Sequence, residues 1–231
     1  MQLTSQTGLY TRDNEHDACG VGMIVNIHGN KSHELVNSAL KVLENMSHRG
    51  AEGSDGKTGD GAGILIQIPH EFILLQGIPV PEKGRYGTGL IFLPKDPARQ
   101  APILSTMIEI IEGAGLSLMH LRNVPVNADV PGDGAREVQP EIKQVFITGV
   151  SDDDAPHFDR ILYKIRKKIE RRIDDEDFYI CSLSCKSIIY KGMLTSGQLR
   201  RFFPDLSNNY FTSGLALVHS RFSTNTFPKW K

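Results

Sequence analysis

A cysteine stands at the mouth of an apolar, β-branched run: Asp17-Ala18-Cys19-Gly20-Val21-Gly22, then Met23-Ile24-Val25-Asn26-Ile27. A cysteine opening a strand behind a short polar leader reads as an N-terminal nucleophile awaiting exposure. Two readings follow. If residues 1–18 are removed, Cys19 carries a thiol and a free α-amine, a nucleophile and a proton acceptor in one residue. Otherwise it is an ordinary buried cysteine in an edge strand, since free Cys is among the most buried residue types.

The 231 residues suffice for one large α/β domain or two small ones, and a hydrophobic share of 39% supports a genuine core. A net charge of -1 gives no global bias toward nucleic acid or an anionic membrane. The leader contains Arg12, Asp13, Glu15, His16 and Asp17 and has no apolar centre, so it does not read as a secretory signal. A cytoplasmic, soluble protein is expected. Three cysteines, an odd number, suit a reducing compartment. Cys181, Leu183 and Cys185 alternate within a segment read as strand, which would set both thiols on one strand face as reduced core residues. Zinc is the alternative, weakened because C-x3-C lacks a second spaced Cys/His pair.

Along the chain, residues 20–27 read as a strand, and Ser32 caps an amphipathic helix reaching Ser47 through Leu35, Val36, Ala39, Leu40, Leu43 and Met46. A glycine-rich loop spans 49–63. Strands follow at 64–68 and 87–93, ended by Pro69 and Pro94. Asp96-Pro97 opens a second helix with Ile103, Met107, Ile110 and Ile111 inward; 115–126 is extended, 127–134 a loop, and 145–148 a strand. Asp154-Ala155-Pro156 starts a long helix with Phe158, Ile161, Leu162, Ile165, Ile169 and Ile173 on its apolar stripe. Its basic face reads best as solvated. Residues 178–190 read as one strand, 195–203 as a short helix and 214–219 as a last strand delivering Ser220-Arg221-Phe222.

Three blocks carry chemistry. Ala51-Glu52-Gly53-Ser54-Asp55-Gly56-Lys57-Thr58 fits a relaxed phosphate loop, but such a loop must leave a strand and enter a helix, and here a helix precedes it and a strand follows. Extended to Ser47-His48-Arg49-Gly50 and Gly59-Asp60-Gly61-Ala62-Gly63, it suits the wall of an active site or a flexible surface loop. Arg49 would favour a nearby thiolate or a substrate carboxylate. The third block, His219-Ser220-Arg221-Phe222-Ser223-Thr224-Asn225-Thr226-Phe227-Pro228, puts an arginine at a strand end, where guanidinium can grip an amino-acid carboxylate or form a structural ion pair.

Taken in order, these blocks resemble the N-terminal glutaminase domain of the glutamate synthase large chains, a branch of the class II (N-terminal-nucleophile) glutamine amidotransferases. Tyr190-Lys191-Gly192-Met193-Leu194 and Phe203-Pro204-Asp205-Leu206 add to the likeness, which runs from Asp17 onward. The resemblance implies an α+β fold, the N-terminal-nucleophile αββα four-layer sandwich, here incomplete. It further implies that residues 1–18 form a propeptide and 19–231 a partial amidotransferase domain.

Cys19 would then be the catalytic nucleophile that hydrolyses L-glutamine through a thioester. Arg221 would hold the substrate carboxylate, Thr224 and Asn225 would line its pocket, and Arg49 would support or gate the site. Partners would be L-glutamine, the remaining glutamate synthase domains and a small subunit, with no nucleic acid and no membrane. No cofactor is expected in this segment; FMN and an iron–sulfur cluster are expected in the rest of the parent enzyme. The family's oxyanion-stabilising Asn-Gly pair does not occur here, so the segment alone is expected to turn over poorly. An inactive glutaminase-like docking or regulatory module, or a gene fragment, is the alternative, with a phosphate-loop nucleotide hydrolase the more remote one.

Overall fold

The alternation after Cys19 produces strand β1 (Gly20–Val25), with Gly20, Gly22 and Ile24 turned inward and Val21, Met23 and Val25 outward and exposed. Its hydrogen-bonding partner comes from the far end of the chain. β8 (Leu215–Ser220) runs antiparallel to it, from Gly20 opposite Ser220 to Val25 opposite Leu215. β2 (Ala62–Gln67) pairs with the other edge of β8, and β7 (Ser187–Gly192) with β2, giving the order β1-β8-β2-β7. Our computed structural model describes residues 19–148, 155–223 and 227–231. The leader, Asp154, Thr224 and Asn225 lie outside the described residues.

Helix α1 (His33–Asn45) begins where expected, because the Ser32 hydroxyl accepts the Leu35 N–H at 3.1 Å. It buries Leu35, Val36, Ala39, Leu40 and Leu43 against β1 and β8. Each such aliphatic side chain contributes about 1.5–3 kcal/mol relative to exposure. Below β2, Pro69 ends the strand and opens a short helix, α2 (His70–Leu75), which drives Phe72 and Ile73 into the core. Periodicity is a poor guide to so short an element, and the sequence reading left it out.

The second sheet is built from β3 (Tyr86–Leu93), α3 (Pro97–Glu112), β4 (Leu118–Asn123), β5 (Glu141–Thr148), α5 (Ala155–Arg172) and β6 (Tyr179–Ile180). All neighbouring strands are antiparallel in the order β4-β5-β3-β6, so this unit is two split β-α-β crossovers interleaved in the ferredoxin-like manner. Asp96 caps α3, accepting the Ala98 N–H at 2.9 Å. One face of the sheet, with Ile91, Leu93, Val145 and Ile147, packs beneath Ile103, Met107 and Ile111 of α3 and Phe158, Leu162, Ile165 and Ile169 of α5. The opposite face, with Tyr86, Leu90, Phe92, Ile142 and Phe146, joins the main core shared with Ile64, Ile66, Ile188, Tyr190 and Val218 of the first sheet. Covered on both faces, β3 is buried at every position.

The segment expected as one strand over 178–190 is instead two. β6 ends at Ile180 in the second sheet, the chain crosses between sheets over 181–186, and β7 starts at Ser187 in the first. Asp159 of α5 pins the crossing, accepting the Ser184 hydroxyl at 2.7 Å and the Cys185 N–H at 3.0 Å. Cys181 and Cys185 therefore share no strand face: Cys181 is buried in the main core and Cys185 beneath the helices of the second. Both are free thiols. A further short helix, α4 (Asp133–Glu137), takes up the end of the stretch read as loop, and β5 begins four residues earlier than expected. Near the end, only Leu199–Phe202 forms helix α6, followed by a 3-10 turn at Pro204–Ser207.

Candidate active site

The pairing of Gly20 with Ser220 decides the site. Because those residues face each other across the β1–β8 ladder, the residue before β1 meets the residues after β8. Cys19 is exposed, and its Sγ accepts the Phe222 N–H at 3.4 Å, with the Phe222 carbonyl oxygen 3.8 Å away. Chain ends 203 residues apart are thus joined at the sulfur.

The central block arrives by a different route. α1 runs into a 3-10 turn, Ser47–Arg49, that places Arg49 half-buried over the start of β1; a methyl group built on Gly20 would stand 3.0 Å from the Arg49 Cβ. From there the chain forms a tight loop rather than a loose one. Gly53 N–H donates to the Thr58 carbonyl at 2.7 Å and Glu52 bridges Gly59. Within it, Asp55 accepts the Thr58 hydroxyl at 2.6 Å and the Thr58 and Lys57 N–H groups at 2.7 and 2.9 Å. Those bonds, the Thr58 hydroxyl foremost, hold the Asp55 carboxyl down at about 2.

Two glycines of this loop are dictated by geometry. A Cβ at Gly59 would lie 2.2 Å from the Leu194 carbonyl carbon, and Gly61 adopts φ 146°, a region side chains avoid. Downstream the chain enters β2, so no helix receives the glycines. The helix, loop, strand order removes the phosphate-loop reading, since such a loop leaves a strand and enters a helix, whereas this one follows α1 and its 3-10 turn and enters β2.

Gly61 in turn holds Arg221: its carbonyl accepts the Arg221 N–H at 2.8 Å. Arg221 borders a cavity of ≈ 210 Å³ formed with Ser47, Gly50, Gly61, Thr195, Ser196 and Ser220. The floor is polar, with the Ser196 and Ser220 hydroxyls 2.9 Å apart and buried. A second cavity of ≈ 310 Å³ reaches from Arg221 along the open face of the first sheet past His219 and Lys191. Partial desolvation, then the Arg221 and Lys191 cations, hold His219 below its ordinary value and therefore neutral near pH 7. The accessible Cys19 thiol thus touches the residue after Arg221, and Arg221 borders both the hydroxyl-lined cavity, which Glu52 also lines, and the open sheet face that carries the neutral His219.

Cys19, Arg49 and Arg221, singled out from three distant blocks, converge; Thr224 and Asn225 are outside the described residues. Asp60 was quoted within its motif but given no role, although its side chain is buried beside this site, with Oδ2 2.6 Å from the Ser223 nitrogen. The signal available was a carboxylate between two glycines at the entry to a strand. Among the described residues no group of three or more His, Cys, Asp or Glu is arranged to hold a metal ion, and no helix is long and apolar enough to cross a membrane.

An exposed thiol at a strand head, beside an arginine delivered by the adjacent antiparallel strand, in a mixed fold of antiparallel sheets, agrees with what comparison of the sequence finds. Residues 19–231 match the family described as "Glutamine amidotransferases class-II", and the chain belongs to that family, whose fold is that of the N-terminal-nucleophile hydrolases. Among its relatives, "Glutamate synthase [NADH]" of Saccharomyces cerevisiae is 43% identical over 243 residues, covering 99% of this chain and 11% of that protein. "Glutamate synthase [NADPH] large chain" of Bacillus subtilis is 44% identical over 235 residues, covering 100% of this chain and 16% of the relative. "Ferredoxin-dependent glutamate synthase 2" of Synechocystis is 42% identical over 220 residues, 94% of this chain and 14% of the relative. The chain therefore spans between a tenth and a sixth of the length of these relatives.

Proposed function

We propose that this chain is the nucleophile-bearing part of a glutaminase domain that supplies ammonia to a glutamate synthase. The observation that carries the reading is the exposed Cys19 sulfur at the head of β1, touching Phe222 directly after Arg221. A family match that opens at residue 19 supports the further reading that residues 1–18 are a leader removed on maturation.

Once unblocked, the Cys19 α-amine, with a pKa of about 8, is suited to accept the thiol proton. Sγ then attacks the side-chain amide carbon of glutamine and the carbonyl π electrons move to oxygen. As the tetrahedral adduct collapses, the C–N bond breaks and the amine returns its proton to the departing nitrogen, which leaves as ammonia. Water adds to the γ-glutamyl thioester, the C–S bond breaks and glutamate and the free thiol are restored. Arg221 binds the substrate α-carboxylate in bidentate fashion, with Thr224 and Asn225 lining that pocket. Arg49, over Gly20, supports the nucleophile's strand.

In the complete enzyme the ammonia aminates 2-oxoglutarate, in the cytoplasm or an equivalent soluble compartment, alongside a flavin and an iron–sulfur centre. The residues present here do not fit that centre, because Cys181 and Cys185 are buried in separate cores and Cys19 is held at the strand head. We therefore place the cluster in other parts of the polypeptide.

The test is ammonia release from L-glutamine by the full polypeptide and its Cys19→Ala variant, with mass spectrometry of the N-terminus. Activity from a chain beginning at Cys19, abolished in the variant, is expected. Undiminished turnover in Cys19→Ala, or full activity with the leader attached, would overturn the reading.

A further inference from the structure

Asp60 is a charged residue spent on the backbone. It is only 7% exposed, it sits between Gly59 and Gly61, and its Oδ2 accepts the Ser223 N–H at 2.6 Å. One residue along, the Gly61 carbonyl accepts the Arg221 N–H at 2.8 Å. These two bonds bracket a single residue, Phe222, whose own N–H is directed at the Cys19 sulfur at 3.4 Å. A buried carboxylate is costly unless its oxygens are hydrogen-bonded, and a bond from a neutral N–H to an ionised acceptor is about twice as strong as a neutral pair. The grip on Ser223 is correspondingly firm.

We propose that Asp60 is a positioning residue for the nucleophile: by clamping Ser223 while Gly61 holds Arg221, it keeps the Phe222 N–H aimed at the Cys19 sulfur. This rests on the glutaminase reading above and adds a residue to it. Releasing the clamp lets the Phe222 N–H leave the sulfur, so the thiol loses the contact that fixes its place at the head of β1. Because the same bracket sets where Arg221 leaves β8, its loss also misplaces the guanidinium.

The test is made in the full polypeptide with Asp60→Asn, which keeps an acceptor but loses the charge, and Asp60→Ala, which loses both. Alkylation of Cys19 by iodoacetamide is followed against pH, with the label located by peptide mass spectrometry. This readout needs no glutamine turnover and so is independent of the glutaminase reading. Expected is a graded fall at pH 7, with alkylation slowed by about tenfold in Asp60→Ala and by less in Asp60→Asn. In glutamine hydrolysis kcat falls and KM rises. If Asp60→Ala does not fold, Asp60→Asn carries the test. A Cys19 alkylation rate unchanged from the parent in the folded variants, with or without lost activity, would overturn the proposal.

Discussion

Arg122 and Asp205 meet in a bidentate pair, Nη1 to Oδ2 and Nη2 to Oδ1 both at 2.8 Å, with side chains only 10% and 4% exposed. The Tyr190 hydroxyl donates to the same carboxylate at 2.8 Å. Arg122 belongs to β4 of the second sheet, Tyr190 to β7 of the first, and Asp205 to the turn after α6. The pair therefore fastens the ferredoxin-like unit to the sheet headed by Cys19. Burial, then the Asp205 carboxylate, push the Tyr190 hydroxyl well above its ordinary value, so it remains a donor. Asp205→Ala strands a buried guanidinium and is expected to cost about 3–5 kcal/mol. Tyr190→Phe, losing one bond to a charged group, should cost about 1.5–3 kcal/mol. Urea midpoints measured at constant m-value check both.

The three thiols are expected to separate by reactivity. Burial pushes Cys181 up to about 12, and burial with the Asp159 carboxylate pushes Cys185 up to about 11. At pH 8 a thiol-reactive disulfide should therefore label Cys19 rapidly and the other two only after unfolding. Both thiols bind their protons more tightly in the folded state than in the unfolded chain. Their contribution to stability is thus complete below the ordinary thiol value near 9, and it declines as pH rises toward 11 and 12. Thermal melting between pH 8 and 11 should show the decline.

Gly59 has no room for a side chain. The Cβ of Gly59→Ala would stand 2.2 Å from both the Leu194 carbonyl carbon and the Thr195 nitrogen, backbone atoms that cannot step aside. Overpacking of this kind costs about 1–3 kcal/mol, and the loop must move outward with Asp60. A lowered denaturation midpoint together with slower Cys19 alkylation is the expected signature.

His219 predicts an acid-side loss. Its folded value is depressed, so the unfolded chain takes up the proton first. The contribution is present above the ordinary histidine value near 6.5 and is lost as pH falls through the depressed folded value. His219→Gln should flatten the fall in melting temperature between pH 7 and 5 while leaving the value at pH 7.5 nearly unchanged.

Local chemistry announced much of this architecture. The Ser32 and Asp96 caps start α1 and α3 where hydroxyl and carboxylate precede helical periodicity, and β1 follows its alternation residue by residue. The three chemistry-bearing blocks were visible too, because a cysteine at a strand head, a loop dense in glycine and an arginine at a strand end are unusual in themselves. Other features were hidden. The residues over 178–190 have continuous strand character, yet the Cys185 N–H, donating to the Asp159 carboxylate, turns the chain from one sheet into the other. Asp60 looked like one more polar residue in a loop until Ser223 was brought against it.

By itself, then, the sequence determined the caps, the alternation and the kind of chemistry, since these depend on neighbours within a few positions, where backbone and side-chain preferences act directly. Only the tertiary structure decided that β1 pairs with β8, that Asp159 turns the chain between sheets and divides the cysteines, and that Asp60 holds Ser223 while Phe222 meets the Cys19 sulfur. The first and last of these join residues more than 150 positions apart, and the Asp159 contact spans 26. They are selected by the burial and hydrogen bonding of the whole assembly, which no short window of residues contains.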